Sequence, residues 1–186
     1  KLNGIAFVDV ARLVQGLRMV KSPAEIEKLS YICGIGSAAF AKVPDLVSEG
    51  MPLEEVFRQF RLAAIGSGAD DAPYVVGAAD QGGYADVISP PSRRPLQKGD
   101  VLMLDTGCTW DGYFCDFDRN FAIGHADKPS QQGHETLWRA TEAGLKAAIP
   151  GATCAELYHA MQAVIGQGDG NVGRLGHGLG MQLIIV

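Results

Sequence analysis

In four stretches of the chain apolar residues return with a helical period, and in one they return with a strand's. Ile26, Leu29, Ile32, Cys33, Ala39 and Phe40 stay in helical phase behind Ser22-Pro23-Ala24-Glu25. That tetrad offers a hydroxyl cap, a proline suited to the first turn and a glutamate placed to close a capping box. Pro52-Leu53-Glu54-Glu55 opens a second helix with Leu53, Val56, Phe57, Phe60 and Ala64 on one face, stopped by Gly66-Ser67-Gly68. A third is predicted over Gln131–Ile149, with Leu137, Ala140, Thr141, Gly144, Leu145 and Ala148 in phase and Pro150-Gly151 behind it. Thr153-Cys154-Ala155-Glu156 is another capping box, followed by Leu157, Ala160, Met161, Val164 and Ile165. Pro73–Val76 reads as a short strand, and 77–100 as loop with room for one strand.

The strand-like stretch is VLMLDTGCTWDGYFCDFDRNF, residues 101–121. Asp111-Gly112 is a two-residue turn signal, so the stretch predicts a hairpin. Its apolar arms are interrupted by Asp105 on one side and by Asp116 and Asp118 on the other. A turn centred on Asp111-Gly112 sets Asp105 opposite Asp118, and one centred on Trp110-Asp111 sets it opposite Asp116. Either way the three acids share a face with Met103 and Phe114. Opposed carboxylates repel, and burying them needs compensation. A shared proton, a cation such as Arg119 (whose strand position points to the other face), divalent ions between the oxygens, and simple solvent exposure are the available answers.

Two segments echo each other. GMPLEEVFRQF (50–60) aligns without a gap on GATCAELYHAM (151–161), each behind a long helix and each running into a Gly-x-Gly. The same order of elements at a spacing of about one hundred residues reads as an internal duplication. A hairpin matching the Asp105 one is then expected at about position 206, beyond the end of the sequence. The absent initiator Met and the apolar ending Leu183-Ile184-Ile185-Val186 also read as a chain cut at both ends.

At 186 residues the chain has the length of one domain with a real core. A formal charge of −5, with 16 Lys+Arg spread along the sequence, argues against nucleic acid as a partner. No apolar run nears the roughly 20 residues of a membrane span, and Lys1-Leu2-Asn3-Gly4 opens no signal peptide. Cys33, Cys108, Cys115 and Cys154 lack C-x-x-C spacing and read as buried thiols of a reducing, cytoplasmic compartment. Cys108 and Cys115 are placed to face each other across the hairpin.

Of the four histidines, His125, His134 and His159 fall in a loop and on predicted helices and read as surface or packing residues. His177 sits in GRLGHGLG (173–180), where glycines permit close approach and unusual torsions around one imidazole. A phosphate loop fails there, because no helix start follows and Leu183–Val186 reads as strand. GQGDGN (166–171) is too weak for a nucleotide signature.

With these residues assembled, the chain resembles the M24 metallopeptidase family of aminopeptidase P, prolidase and methionine aminopeptidase. LRMVKSPAEIEKL (17–29) resembles the start of that family's catalytic domain behind an N-terminal domain. LQKGDVLMLDTG (96–107) and DGYFCDFDRNF (111–121) resemble its first two metal-ligand segments, and GHGLG (176–180) the segment with its metal-binding histidine. The resemblance implies an α+β pita-bread fold: a curved, mostly antiparallel sheet with outer helices and an internal pseudo-twofold, its C-terminal part missing here. Residues 1–20 then end a preceding domain or linker, and 21–186 form a partial catalytic domain.

By that resemblance Asp105, Asp116 and His177 are metal ligands, and Asp118 falls where the family usually has Thr or Ser. The family's other two ligands are glutamates further along. Two divalent ions are implied, Mn first for an oxygen-rich site, with Zn, Co or Fe as alternatives. The implied activity is an Xaa-Pro aminopeptidase or prolidase reaction, a bridging hydroxide attacking an amide bond of a small peptide, in a homodimer. The fragment alone, short of two ligands, is expected to be inactive. One family histidine about a dozen residues before Gly99-Asp100 is replaced in the neighbourhood of Val87 and Ile88, and another by Ile184. Those departures keep open a non-peptide C–N hydrolase, creatinase- or ectoine-hydrolase-like, or a lyase on the same fold. A catalytically inactive binding relative is the other alternative.

Overall fold

The computed structural model describes residues 4, 6–85, 92–166 and 173–183. Helices come first: α1 (Ala11–Met19), α2 (Pro23–Ala41), the single-turn α3 (Val43–Leu46) and α4 (Leu53–Gly66). Then follow β1 (Val75–Gln81), β2 (Asp100–Thr106), β3 (Thr109–Trp110), β4 (Tyr113–Phe114) and β5 (Phe117–Ala122), and finally α5 (Lys128–Ala147) and α6 (Cys154–Ile165). β1, β2 and β5 form an antiparallel sheet in that order, and β3 and β4 are the tip of the β2–β5 hairpin.

Both predicted capping boxes form. Ser22 Oγ accepts from the Glu25 amide while Glu25 Oε2 accepts from the Ser22 amide at 2.8 Å, and Thr153 and Glu156 do the same on α6. Gly50 (φ +85°) and Gly151 (φ +91°) turn the chain in the same way before α4 and α6, in keeping with the repeat. α5 begins three residues earlier than predicted, because Asp127 caps it by accepting from the Ser130 amide at 2.8 Å. The strand predicted at 73–76 is instead β1, shifted into the stretch read as loop. Gly77, in its middle, is required there: a Cβ would stand 2.4 Å from the Met103 carbonyl and 2.5 Å from the Phe57 ring.

The register divides the sheet into two unlike faces. Leu102, Leu104 and Thr106 of β2, with Phe117 and Phe121 opposite and Val75 and Ala79 on β1, point at the helices. There they join Ile32, Ile35, Ala39, Phe40, Val56, Phe57 and Phe60 in the core. Arg119 follows this face, its guanidinium 5.0 Å from the Phe117 ring, as its strand position predicts. Met103, Asp105, Asp118 and Asn120 point the other way.

Asp100 starts β2 fully buried and is compensated four times: by Arg94 Nη1 (2.6 Å) and Nη2 (3.0 Å), Gln81 Nε2 (2.8 Å) and the Gln97 amide (2.8 Å). The guanidinium holds this carboxyl below the usual carboxylate range. The hairpin tip is fastened to α2, where Lys28 pairs with Asp111 at 2.5 Å, Tyr113 donates to Glu25 at 3.0 Å and Trp110 packs on Tyr31.

α5 and α6 pack on each other, with Gly144 closed down on Met161. Their predicted phase holds, but Leu137 and Leu145 remain exposed, and α6 buries none of its residues. Ile26 on α2 is exposed too. All four cysteines are free; Cys108 and Cys115 face each other, buried, with 3.4 Å between sulfurs, whereas Cys154 is exposed rather than buried. Among the described residues, no helix is long and apolar enough to cross a membrane.

Candidate metal centre

Asp111-Gly112 makes the turn, both residues at positive φ (47° and 78°), and the ladder that follows pairs Thr109 with Phe114 and Asp105 with Asp118. The first of the two registers is therefore the one adopted. Between the ladders the strands approach so closely at Gly107 that a Cβ there would lie 1.9 Å from the Cys115 carbonyl.

His177 reaches these acids through its own backbone segment. The Phe114 amide donates to the Gly180 carbonyl at 2.9 Å, laying the glycine-rich stretch along the hairpin. The His177 ring then meets Asp116, Nε2 to Oδ2, at 3.0 Å, with the two side chains 19% and 16% exposed. Its Nδ1 lies 3.1 Å from the Gly178 carbonyl. A carbonyl only accepts, so a hydrogen bond there uses hydrogen on Nδ1, and Nε2 is the atom turned toward Asp116. Close approach is not the reason for Gly176, where a Cβ would meet nothing within 4 Å.

The remaining acids are less well served. Asp105 is half-buried and makes no hydrogen bond to any described residue; burial, then the Asp116 charge, raises its carboxyl above the ordinary range, with His177 opposing. Asp118 keeps solvent access and accepts only a long 3.4 Å bond from Asn120 Nδ2. Surrounding protein mass and the facing Asp105 charge still push it up to about 6. Solvent therefore answers part of the problem for Asp118, but not for Asp105 and Asp116.

One residue that sequence reasoning missed completes the site, and a second lies beside it on the same face. Tyr74, just before β1, donates its hydroxyl to Asp116 Oδ1. Its own carbonyl accepts from Thr106 Oγ1 at 2.7 Å. Burial, and then the bond to Asp116, push the Tyr74 phenol far up. Tyr84 donates to Asn120 Oδ1 at 2.7 Å. A signal for Tyr74 existed only in register: Val76 pairs with Asp105, so Tyr74, two residues earlier, shares the acid face.

The site thus joins Asp116 and His177 directly, with Asp105 and Asp118 beside them. Among the described residues, no three His, Cys, Asp or Glu side chains converge as a ready ion cage. The donor pair nevertheless fits an ion. Two ligands at about 2.1 Å from one octahedral cation, at right angles to each other, stand about 3 Å apart, close to the 3.0 Å between Nε2 and Oδ2. His125, His134 and His159 are exposed and distant in role, as expected. Val87, Ile88, Ile184, most of GQGDGN and the strand expected at Leu183–Val186 lie outside the described residues, apart from Gly166 and Leu183.

An α+β chain of pita-bread fold, with acids on a hairpin and an imidazole laid against Asp116, is the class this structure defines, and the comparisons agree on the fold. Residues 27–184 match the profile of metallopeptidase family M24, and the chain belongs to that family. It is 29% identical over 188 residues to the probable dipeptidase PepE of Mycobacterium tuberculosis, covering 96% of this chain and 48% of that one. It is 25% identical over 186 residues to the Xaa-Pro dipeptidase of Pyrococcus furiosus, covering 98% and 53%. The solved dipeptidase from Pyrococcus horikoshii superposes with a TM-score of 0.87 at 25% identity, over 97% of this chain and 51% of that one. The chain spans about half the length of the curated relatives it matches.

Proposed function

We propose that this chain carries part of the ion site of a metal-dependent hydrolase of Xaa-Pro aminopeptidase or prolidase type. The contact between Asp116 and His177, donors far apart in sequence brought together beside Asp105, is the observation that carries the reading. Asp116 and His177 hold one ion and Asp105 shares in the pair of ions, with glutamates further along the parent protein completing the set. Divalent ions in such a site polarise an amide carbonyl and activate the attacking water. Asp118, where relatives of this kind carry a hydroxyl residue, adds a carboxylate beside Asp105. Small dipeptides are the proposed substrates, because the relatives are named as dipeptidases. Mn is the proposed ion for an oxygen-rich donor set.

The test is elemental analysis of the full-length protein, followed by hydrolysis of an Xaa-Pro dipeptide panel with and without added Mn. Bound divalent metal and Mn-dependent cleavage are expected. Metal-free protein that neither takes up Mn nor cleaves any panel member overturns the reading and favours an inactive binding relative. A second reading, a small non-peptide amide as substrate, is favoured by Val87, Ile88 and Ile184 standing where the peptidases carry histidines. Metal uptake with turnover of such amides alone selects it.

A further inference from the structure

We propose that Tyr74 is a positioning residue of this site, its hydroxyl reserving one oxygen of Asp116 so that the other is presented toward His177 and the ion. The inference rests on the metal reading above and deepens it. A carboxylate rotates easily about its last bond and offers two equivalent oxygens, so an unaided Asp116 has no fixed binding geometry. Here each oxygen has its own partner: Oδ1 takes the Tyr74 hydroxyl and Oδ2 faces His177 Nε2 at 3.0 Å.

Tyr74 is itself held from behind. The buried Thr106 hydroxyl donates to its carbonyl at 2.7 Å, and Thr106 is the neighbour of Asp105 on β2. One connection therefore runs from the strand bearing Asp105, through Tyr74, to Asp116 on the returning arm. It sets the two acids relative to each other. A phenol suits the task, because it donates one hydrogen without adding a cation that would compete for the carboxylates. Tyr84, on the same side of the sheet, bonds Asn120 rather than an acid and is the natural control.

The experiment titrates Mn²⁺ into metal-free full-length protein, reading free Mn²⁺ from its EPR signal, for the wild type, Tyr74→Phe, Tyr84→Phe and Asp116→Asn. Tyr74→Phe keeps the ring and is expected to weaken affinity about 10–100-fold, as loss of a ligand-orienting partner does. Tyr84→Phe is expected to bind as the wild type, and Asp116→Asn to show no measurable binding. Wild-type affinity in Tyr74→Phe, with binding lost in Asp116→Asn, overturns the role of Tyr74 and leaves the metal reading standing. Undiminished binding in Asp116→Asn overturns the metal reading and this inference with it. An equal loss in Tyr84→Phe makes the effect a general property of that face and also overturns the assignment. If Tyr74→Phe does not fold, the wild type still decides: Mn²⁺ uptake is expected to perturb tyrosine near-UV absorption, and an unchanged spectrum contradicts the proposal.

Discussion

The two faces of the β1-β2-β5 sheet are built from the same strands and obey opposite rules. On one, Leu102, Leu104 and Thr106 are fully buried against α2 and α4, with Arg119 lying over the Phe117 ring and the buried Asp100 met by its own donors. On the other, one residue along in each case, Met103 gives way to Asp105, and Asp118 stands directly opposite it. Charge is tolerated at Asp100 because four donor atoms surround it, whereas Asp105 and Asp118 face each other with far fewer partners and their carboxyls are raised. The difference separates stability from the proposed chemistry: the helix-covered face holds the fold together, and the acid face carries opposed carboxylates whose repulsion a cation at the proposed site would relieve.

That separation breaks or sharpens under substitution. The largest effect is expected from Asp116→Asn, which should abolish Mn²⁺ binding in the full-length protein while leaving the metal-free thermal midpoint unchanged or raised; calorimetric titration beside a melting curve checks both. Arg94→Ala leaves a buried carboxylate short of its main partner and should cost about 3–5 kcal/mol in urea unfolding. The Asp100 carboxyl lies below its unfolded value, so the stability from this pair is present above a pH of about 3.9 and lost as pH falls through the folded pKa. The gap between wild type and Arg94→Ala should therefore close in acid.

Leu104→Ala should cost about 2–5 kcal/mol by the same measurement without altering Mn²⁺ affinity beyond what partial unfolding explains. A selective loss of metal affinity in that variant would contradict the division of the faces. The smallest effect has the opposite sign. Asp118 is pushed up to about 6, so its ionisation penalises the metal-free fold above that pH, and the penalty vanishes below about 3.9. With solvent screening, Asp118→Asn should stabilise the apoprotein by about 1 kcal/mol at most at pH 7, and by nothing at pH 3.5.

Much of this was legible in the sequence where the signal is local. Ser22/Glu25 and Thr153/Glu156 are cap chemistry within four residues, and Asp111-Gly112 marks the turn and the face the acids share, while the choice of Asp118 over Asp116 opposite Asp105 comes from the ladder itself. The glycine-rich setting marked His177 out from the three surface histidines. What stayed hidden depends on partners far along the chain. β1 contains Gly77-Ala78-Ala79, poor strand formers alone, which pair because Gly77 lets Phe57 and the β2 backbone close in. Tyr74 looked like one more strand residue until the β1–β2 register put it on the acid face. The phases of α5 and α6 were readable, but which side of them is covered was not, since apolar period reports a face and never its occupant.

The most direct test of the ion site is an anomalous-difference map from Mn-loaded crystals of the full-length protein. The expected result is a peak within about 2.0–2.2 Å of both Asp116 Oδ2 and His177 Nε2, with an Asp105 oxygen in the same cluster. Mn-loaded crystals with no peak there, and His177 still bonded directly to Asp116, would contradict the account.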